Sequence, residues 1–267
     1  MPLVKLVSWN VNFIRIRLEL LSFLAEKYNP DIICIQEVKA KEADFPFEAV
    51  KKMGFQHIAL YGMAGYNGVA ILSKLPLSDI ESKNWVGKQD ARHIKAVCNG
   101  LEINNIYIPA GGDIPDPIEN LSFAHKLCFI DDMSEYYEQR KEELADKAIL
   151  FCGDFNVAPK ENDVWNHKKM LGIVSHTPIE IGRLTRLFNS LDFVDAIRQI
   201  YPESEKIFSW WSYRNPNWKT NNKGRRLDHI WVTKKLSSGI KNAFILQEFR
   251  SLERPSDHVP VMVEILI

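Results

Sequence analysis

A buried strand that ends in two polar side chains is predicted by the stretch Ala148-Ile149-Leu150-Phe151-Cys152-Gly153-Asp154-Phe155-Asn156. The apolar run is short and stops at a glycine, as expected of a strand inside an α/β sheet. Open α/β sheets place ligands where such strands end. Residues two apart in an extended chain project from one face, so Asp154 and Asn156 are predicted to share a pocket. The same residues also favour a turn with Asx hydrogen bonds, and this stretch leaves both interpretations open.

The composition is typical of one large globular domain, which we expect to span residues 1–267. Of the 267 residues, 46% are hydrophobic and 25% are charged, enough for a sizeable core. Lys plus Arg and Asp plus Glu both number 34, so global charge argues against indiscriminate nucleic-acid binding. The first ten residues lack a signal pattern and no apolar run approaches membrane-spanning length, which predicts a cytoplasmic location and no membrane partner. Four scattered cysteines are predicted to be core residues, not disulfides or zinc ligands: Cys34, Cys98, Cys128 and Cys152.

Polar side chains also follow other predicted strands. Residues 3–9 lead into Asn10, and residues 31–35 lead into Gln36 and Glu37. A carboxylate after an all-apolar strand is costly unless it meets water, a partner or a cation, so Glu37 is a candidate ligand for a hard metal ion. A solvated strand end is the alternative. Tyr107 lies at the end of a further predicted strand.

The candidate residues are carboxylates and amides with one tyrosine and one prominent histidine: Asn10, Glu37, Tyr107, Asp154, Asn156, Asp228, Asp257 and His258. Such donors match an octahedral Mg²⁺ site, with Mn²⁺ as the second choice, better than structural zinc. Phosphodiester hydrolysis is a natural use of this chemistry, because it requires a neutralised phosphate and an oriented water. In that interpretation Asp154 activates the water, and Asp228 holds the imidazole of His258 in one tautomer.

A local nucleic-acid contact surface is predicted between residues 206 and 227. This stretch has no acidic residue, while basic and aromatic side chains alternate: Lys206, Phe208, Trp210, Trp211, Tyr213, Arg214, Trp218, Lys219, Lys223, Arg225 and Arg226. Basic groups attract phosphates and aromatic faces stack on bases. The alternative is a loop whose aromatic side chains belong to the core.

Seven motifs resemble, in order, those of the exonuclease III family of class II apurinic/apyrimidinic (AP) DNA endonucleases. They are Trp9-Asn10-Val11-Asn12, Ile35-Gln36-Glu37-Val38-Lys39, Gly65-Tyr66-Asn67-Gly68-Val69-Ala70, Tyr107-Ile108-Pro109, Gly153-Asp154-Phe155-Asn156, Arg226-Leu227-Asp228-His229 and Ser256-Asp257-His258-Val259-Pro260. The similarity spans nearly the whole chain. It implies an α/β (α+β) fold of the DNase I-like type, a four-layer sandwich of two packed β-sheets flanked by helices. It also implies a monomeric, metal-dependent enzyme that acts on double-stranded DNA at abasic sites and 3′ ends.

The resemblance further implies a role for each matching residue. Glu37 resembles the principal metal ligand, with Asn10 near it and Asp257 able to join. Asp154 resembles the residue that aligns or deprotonates the attacking water, and Asn156 the amide beside it. The remaining catalytic positions are Tyr107, a hydroxyl donor to the phosphate, and His258, oriented by Asp228 on the scissile phosphate.

Substrate-binding roles are implied for five further residues. Trp210 and Leu227 fall where the family lines the pocket for an extruded abasic sugar, and Tyr66 and Arg92 resemble contacts to the DNA backbone. Arg225 stands where an aromatic residue commonly precedes Arg-Leu-Asp and is predicted to contact a phosphate.

Two more positions depart from the family pattern: Phe13 replaces a small residue, and Ala110 replaces an Asn or Gln. These departures leave open the balance of abasic incision, 3′→5′ exonuclease activity and removal of 3′-blocking groups.

Two other functions compete with this one. Relatives that share the scaffold hydrolyse phospholipid head groups, inositol phosphates or poly(A), but several carry His where Tyr107 stands, and the basic aromatic stretch favours DNA. A non-catalytic DNA-binding module is the second alternative. It is disfavoured because binding alone requires neither Glu37 nor the pair of Asp228 and His258.

Overall fold

Two six-stranded sheets pack face to face in the computed structural model, which describes residues 2–215 and 217–267. Met1 and Pro216, which belong to the predicted domain, lie outside the described residues. The first sheet has the spatial order β11 (Ile240–Ile245), β12 (Val261–Leu266), β1 (Leu3–Asn10), β2 (Ile32–Gln36), β4 (Val69–Ser73) and β3 (His57–Tyr61). The second has the order β5 (Ser78–Trp85), β6 (Lys88–Cys98), β7 (Leu101–Tyr107), β8 (Ile149–Asp154), β10 (Asp228–Val232) and β9 (Val194–Asp195).

Helices cover the outer faces of both sheets. The α-helices are α1 (Leu18–Tyr28), α2 (Phe47–Lys52), α3 (Leu121–Glu138), α4 (Lys141–Leu144), α5 (His167–Met170), α6 (Pro178–Ser190), α7 (Ala196–Ile200), α8 (Trp218–Asn221) and α9 (Lys234–Ser237). Short 3-10 helices lie at Ile14–Ile16, Glu42–Asp44, Glu161–Asp163 and Gln247–Ser251. Among the residues described, no helix combines the length and the apolar character needed to span a membrane.

The packing follows from the alternation of side chains along each strand. Leu6 of β1 belongs to the core between the sheets, whereas its neighbour Val7 packs outward under α1. Phe151 of β8 likewise packs outward, where α3 and α6 contribute residues such as Phe129 and Leu184. The predicted four-layer sandwich is therefore confirmed.

Strand pairing brings the predicted polar strand ends to one edge of the sandwich. β1 runs parallel to β2 with Asn10 paired to Gln36, and β7 runs parallel to β8 with Tyr107 paired to Asp154. β10 is antiparallel to β8, so its first residue, Asp228, lies opposite the last residue of β8. Gly153 allows β8 to pair closely with β7, since a Cβ at this position would lie 1.8 Å from the carbonyl oxygen of Ile106 in β7.

Several elements differ from the sequence-based expectations. β5 and β11 were not predicted, because both are edge strands with many exposed polar residues. Helix-forming residues from about 183 to 190 predict a helix there, and the observed helix α6 begins earlier, at Pro178, where Thr177 and Glu180 form a capping box. Cys128 is exposed on α3, so the expectation of a core cysteine is wrong for this residue.

Candidate active site

A cleft of about 760 Å³ opens at the edge where the polar strand ends meet. Six of the predicted catalytic and metal-binding residues line it: Glu37, Tyr107, Asp154, Asn156, Asp257 and His258. Three of the predicted substrate-binding residues line it too: Trp210, Arg225 and Leu227. Asn10 and Asp228 are buried and contact the lining residues by hydrogen bonds. Residues separated by more than 240 positions in the sequence therefore share one site.

Asp154 is the centre of the hydrogen-bond network. Its Oδ2 accepts hydrogen bonds from the side-chain amides of Asn10 (2.9 Å) and Asn156 (3.1 Å), and its Oδ1 accepts one from the backbone amide of Asn156. Burial raises the pKa of Asp154 to about 7, and the negative charges of Asp228 and Glu37 act in the same direction. A carboxylate with such a pKa suits proton transfer near neutral pH.

His258 faces Asp154 from the other side. Its Nε2 lies 3.5 Å from Oδ2 of Asp154, and its Nδ1 donates to Oδ2 of Asp228 at 2.9 Å. Burial alone lowers the pKa of His258, but the charges of Asp228 and Asp154 outweigh it and raise that pKa to about 10. The side chain is therefore an imidazolium at neutral pH, with a fixed orientation and a proton on Nε2.

Glu37 lines the cleft beside Asp154, since the side-chain amide of Asn10 donates to both carboxylates. Its Oε1 accepts hydrogen bonds from Asn10 Nδ2 and the Tyr107 hydroxyl, both at 2.9 Å, and its Oε2 lies 2.6 Å from Lys39 Nζ. Burial opposes ionisation, but Lys39 and Asn10 outweigh it and lower the pKa of Glu37. Burial and the charge of Glu37 raise the pKa of Tyr107, so its hydroxyl stays protonated.

The backbone around Glu37 is in an unusual conformation. Glu37 has φ 51° and Lys39 also has φ 51°, although neither is a glycine. Residues with a side chain rarely adopt positive φ, and such positions cluster at functional sites.

The donor chemistry of the cleft fits a hard divalent cation. Asp154, Asp228 and His258 are buried and offer ligand atoms within 4.8 Å of one another. In the described part of the chain, Oδ1 of Asp228 is buried and accepts no hydrogen bond. The carboxylate of Glu37 already has one cation beside it, the ammonium group of Lys39. The ligand set predicted from the sequence, Glu37 with Asn10 and Asp257, thus lies beside a second possible set.

Asp257 links the acidic wall to the aromatic part of the cleft. Its Oδ2 accepts a hydrogen bond from Trp210 Nε1 (3.0 Å), and its Oδ1 accepts one from Asn12 Nδ2 (3.2 Å). Trp210 packs with Leu227 in a small apolar cluster. The guanidinium of Arg225 lies 5.0 Å from the ring centroid of Trp210, and its Nη1 donates to Ser175 Oγ at 2.8 Å.

Tyr66 and Arg92, both predicted to contact DNA, have different surroundings. Tyr66 is 59% exposed and is accessible to a large ligand. Arg92 is buried, pairs with Asp90 (2.8 Å) and stacks 4.6 Å from the ring centroid of Tyr107. This geometry favours support of Tyr107 over direct contact of Arg92 with DNA.

The basic aromatic stretch divides into core and surface residues. Phe208 and Trp211 are buried in the core beneath the first sheet, so the alternative interpretation is correct for them. Arg226 is buried and paired with Asp163. The surface part contains Lys206, Tyr213, Arg214, Lys219 and Lys223. The predicted contact surface is therefore smaller than the stretch suggested.

A buried lysine that was not predicted from the sequence joins the loops of the site. Lys126 of α3 donates to the carbonyl oxygens of Asn156 (2.7 Å) and Ala110 (3.2 Å) and pairs with Glu180. Two signals were present: a lysine on the apolar face of α3, beside Phe123 and Ile130, and the Thr-x-x-Glu pattern of the capping box.

Comparisons with known proteins agree with this geometry. Residues 7–258 match the model of the Endonuclease/Exonuclease/phosphatase family. Exodeoxyribonuclease III of Haemophilus influenzae is 32% identical over 98% of this chain and 99% of that protein. Two similar solved structures are an AP endonuclease from Archaeoglobus fulgidus (TM-score 0.91, 28% identity, 99% of this chain and 100% of that one) and the 3′ phosphatase NExo from Neisseria bound to a product DNA hairpin (TM-score 0.90, 29% identity, 99% and 100%).

Proposed function

We propose that this chain, which belongs to the endonuclease/exonuclease/phosphatase family, is a divalent-metal-dependent DNA-repair nuclease that cleaves the phosphodiester 5′ to an abasic site. We include 3′→5′ exonuclease and 3′-phosphatase activity, because similar proteins carry the names exodeoxyribonuclease III and 3′ phosphatase. One observation carries the proposal. Asp154, a carboxylate with a pKa of about 7, lies 3.5 Å from the imidazolium of His258 in a cleft that Glu37 also lines.

In the proposed mechanism, Asp154 aligns a water and accepts its proton as the water oxygen bonds to phosphorus. The bond from phosphorus to the 3′ oxygen of the preceding nucleotide breaks, and that oxygen takes up a proton from solvent and leaves as a 3′ hydroxyl. The amides of Asn10 and Asn156 hold this carboxylate in place. His258 donates from Nε2 to an oxygen of the scissile phosphate and stabilises the charge that develops there, while Asp228 holds the imidazolium in position. Tyr107 provides a further hydroxyl donor to the phosphate.

We propose Mg²⁺ as the cofactor, with Mn²⁺ as an alternative, held by Glu37 with Asn10 and Asp257. Asp154, Asp228 and His258 also lie close enough to hold an ion, but the imidazolium of His258 has no free lone pair, so we favour the set around Glu37. When bound, the ion neutralises negative charge on the phosphate and stabilises the departing oxygen.

The proposed substrate is double-stranded DNA, at abasic sites and 3′ ends. Trp210 and Leu227 would form the apolar wall for an extruded sugar, which costs less unstacking energy where the base is missing. Arg225 and Tyr66 would contact the backbone. We further propose one catalytic domain over residues 1–267 that acts as a monomer in the cytoplasm, since the family match and the bacterial relatives span nearly the whole chain.

A time course on 5′-labelled duplexes with one abasic analogue tests the function. With Mg²⁺ we expect incision at the lesion followed by slower trimming of 3′ ends, and with EDTA we expect neither. Asp154→Ala would abolish incision, an outcome that excludes a non-catalytic DNA-binding module. Hydrolysis of sphingomyelin or an inositol phosphate, with the abasic duplex left intact, would overturn the proposal.

A further inference from the structure

A second groove of about 630 Å³ lies next to the active-site cleft. Its lining contains aromatic, basic and small side chains: Asn12, Phe13, Ile16, Arg17, Lys39, Tyr213, Arg254 and Pro255. Two of these residues also contact the acidic wall of the cleft. Lys39 Nζ lies 2.6 Å from Glu37 Oε2, and Asn12 Nδ2 donates to Asp257 Oδ1 at 3.2 Å. The groove is therefore continuous with the proposed catalytic site.

Phe13 is in a conformation that glycine adopts much more readily. Its φ is 86°, and the preceding residue, Asn12, has φ 44°. The backbone amide of Phe13 donates to the carbonyl oxygen of Glu37 at 2.8 Å, which ties this strained residue to the loop of the site. The ring is partly exposed, with the guanidinium of Arg15 5.2 Å from its centroid. The chain thus places an aromatic ring in the groove where glycine would be relaxed.

The groove has positive charge and an unsatisfied donor. Arg17 and Arg254 contribute two cations, Lys39 adds a third that is paired with Glu37 of the cleft, and among the described lining residues none is acidic. Arg17 is 6% exposed, and its Nη2 donates to the Tyr213 hydroxyl at 3.1 Å. In the part of the chain that the structure describes, its buried Nε has no hydrogen-bond partner. The Arg17 guanidinium therefore retains a donor that no side chain of the groove satisfies.

We propose that this groove binds an unpaired nucleotide of the DNA strand that enters the cleft, with its base stacked on Phe13 and its phosphate on Arg17 and Lys39. The inference rests on the proposed nuclease function. Aromatic rings combined with cations are the usual means of holding single-stranded nucleic acid. A base within an intact duplex is covered on both faces by its neighbours, so the groove selects a frayed, mispaired or overhanging nucleotide beside the lesion.

Equilibrium binding in EDTA tests this inference without cleavage. Two labelled duplexes carry the same abasic analogue. In one, the nucleotides next to the analogue are paired, and in the other, a nucleotide next to the analogue is unpaired; its position on the 5′ or the 3′ side is tested separately. We expect the chain to bind the duplex with the unpaired nucleotide about tenfold more tightly, the order of one base–aromatic stack. Phe13→Gly removes this preference while its melting temperature stays at or above that of the unchanged chain, because glycine relieves the positive φ. Phe13→Tyr retains the preference.

Two further variants sharpen the test. Phe23→Ala removes a phenylalanine that is 36% exposed on α1 and outside the groove, so it keeps the preference. Affinity falls as salt rises, and Arg17→Met makes the slope of log affinity against log salt concentration shallower by about one, the change expected when one phosphate contact is lost.

The outcomes separate this inference from the nuclease proposal. If Phe13→Gly keeps the preference, or weakens both duplexes equally, the groove does not bind the nucleotide. If the unchanged chain cleaves abasic duplexes but ignores pairing at the neighbour, the groove inference fails while the nuclease proposal stands. If the chain shows the preference in EDTA but cleaves no duplex with Mg²⁺, the nuclease proposal fails while the groove stands.

Discussion

Two buried carboxylates, Asp154 and Asp163, show how different surroundings give the same side chain different roles. Asp154 is 1% exposed and Asp163 is 0% exposed. Asp163 pairs with Arg198 and accepts hydrogen bonds from Arg226 at 2.8 and 3.0 Å. Burial opposes ionisation of Asp163, but the arginines outweigh it and lower its pKa.

Asp154 has amide donors, two carboxylate neighbours and a single cation, the imidazolium of His258, whose Nε2 lies 3.5 Å from Oδ2 of Asp154. Asn10 and Asn156 satisfy its oxygens without neutralising its charge, while burial and the charges of Asp228 and Glu37 raise its pKa to about 7. A paired carboxylate stabilises the fold and stays ionised, whereas one held by amides among like charges can exchange a proton. The comparison therefore separates a structural aspartate from a proposed catalytic one.

Removal of the proposed base should have the largest effect. We expect Asp154→Ala to lower kcat for abasic incision about 1000-fold, because general-base assistance is lost. The urea midpoint should change little, because the removal of a buried negative charge offsets the loss of the acceptor for Asn10 and Asn156. Retention of a tenth or more of the activity in steady-state assays would contradict the role of Asp154.

The matched change at the other carboxylate should act on stability. We expect Asp163→Ala to lower the free energy of unfolding by about 3–5 kcal/mol, because two arginines lose a buried partner. Urea unfolding measures this loss, and activity per folded molecule should be kept. Asp192→Ala is the control, since Asp192 forms an exposed pair with Lys141, and it should leave the midpoint unchanged. A small loss at Asp163 would mean that its ion pairs do not stabilise the fold.

The two carboxylates should also differ in the sign of their pH dependence. The folded-state pKa of Asp154, about 7, is above its ordinary value of 3.8, so its contribution to stability is lost as pH rises through about 7. The pKa of Asp163 is lowered, so its contribution is present above pH 3.8 and is lost as pH falls through its folded-state pKa. Without metal, the unchanged chain should lose stability relative to Asp154→Ala as the pH rises from about 4 to about 7, the interval between the unfolded-state and folded-state pKa values of Asp154. If urea unfolding in EDTA gives the same difference in stability between the two proteins at every pH in this range, the raised pKa of Asp154 is refuted.

The smallest expected effect is at the aromatic end of the cleft. Arg225→Trp replaces a guanidinium that stacks on Trp210 by an apolar ring, which is a better wall for a sugar. We expect abasic incision to rise a few-fold relative to digestion of undamaged duplex, the order of a single π contact. Arg225→Lys, which keeps the charge without the planar group, should not shift the ratio in this direction. If Arg225→Trp leaves the ratio of abasic incision to digestion of undamaged duplex unchanged, residue 225 does not set the balance between these two activities.

Local patterns explain which parts of the fold and site were predictable. The strand that ends at Asp154 was recognised because a buried central strand is apolar throughout. The edge strands β5 and β11 were missed because an exposed face carries no hydrophobic alternation. Trp210 and Trp211 are neighbours of the same residue type, yet one lines the cleft and the other is buried. Composition cannot tell which of two adjacent side chains points inward.

The sequence by itself determined the set of groups at the site, the hydrophobic strands that carry them and the relation of Asp154 to Asn156, because these depend on residue type and short spacing. Only the tertiary structure decided that Asp228 lies opposite Asp154, that Lys126 is buried against the site loops, and that the pKa of Asp163 is lowered while that of Asp154 is raised. Strand register, burial and the distances between distant charges set these properties, and none of them is a property of a local stretch of chain.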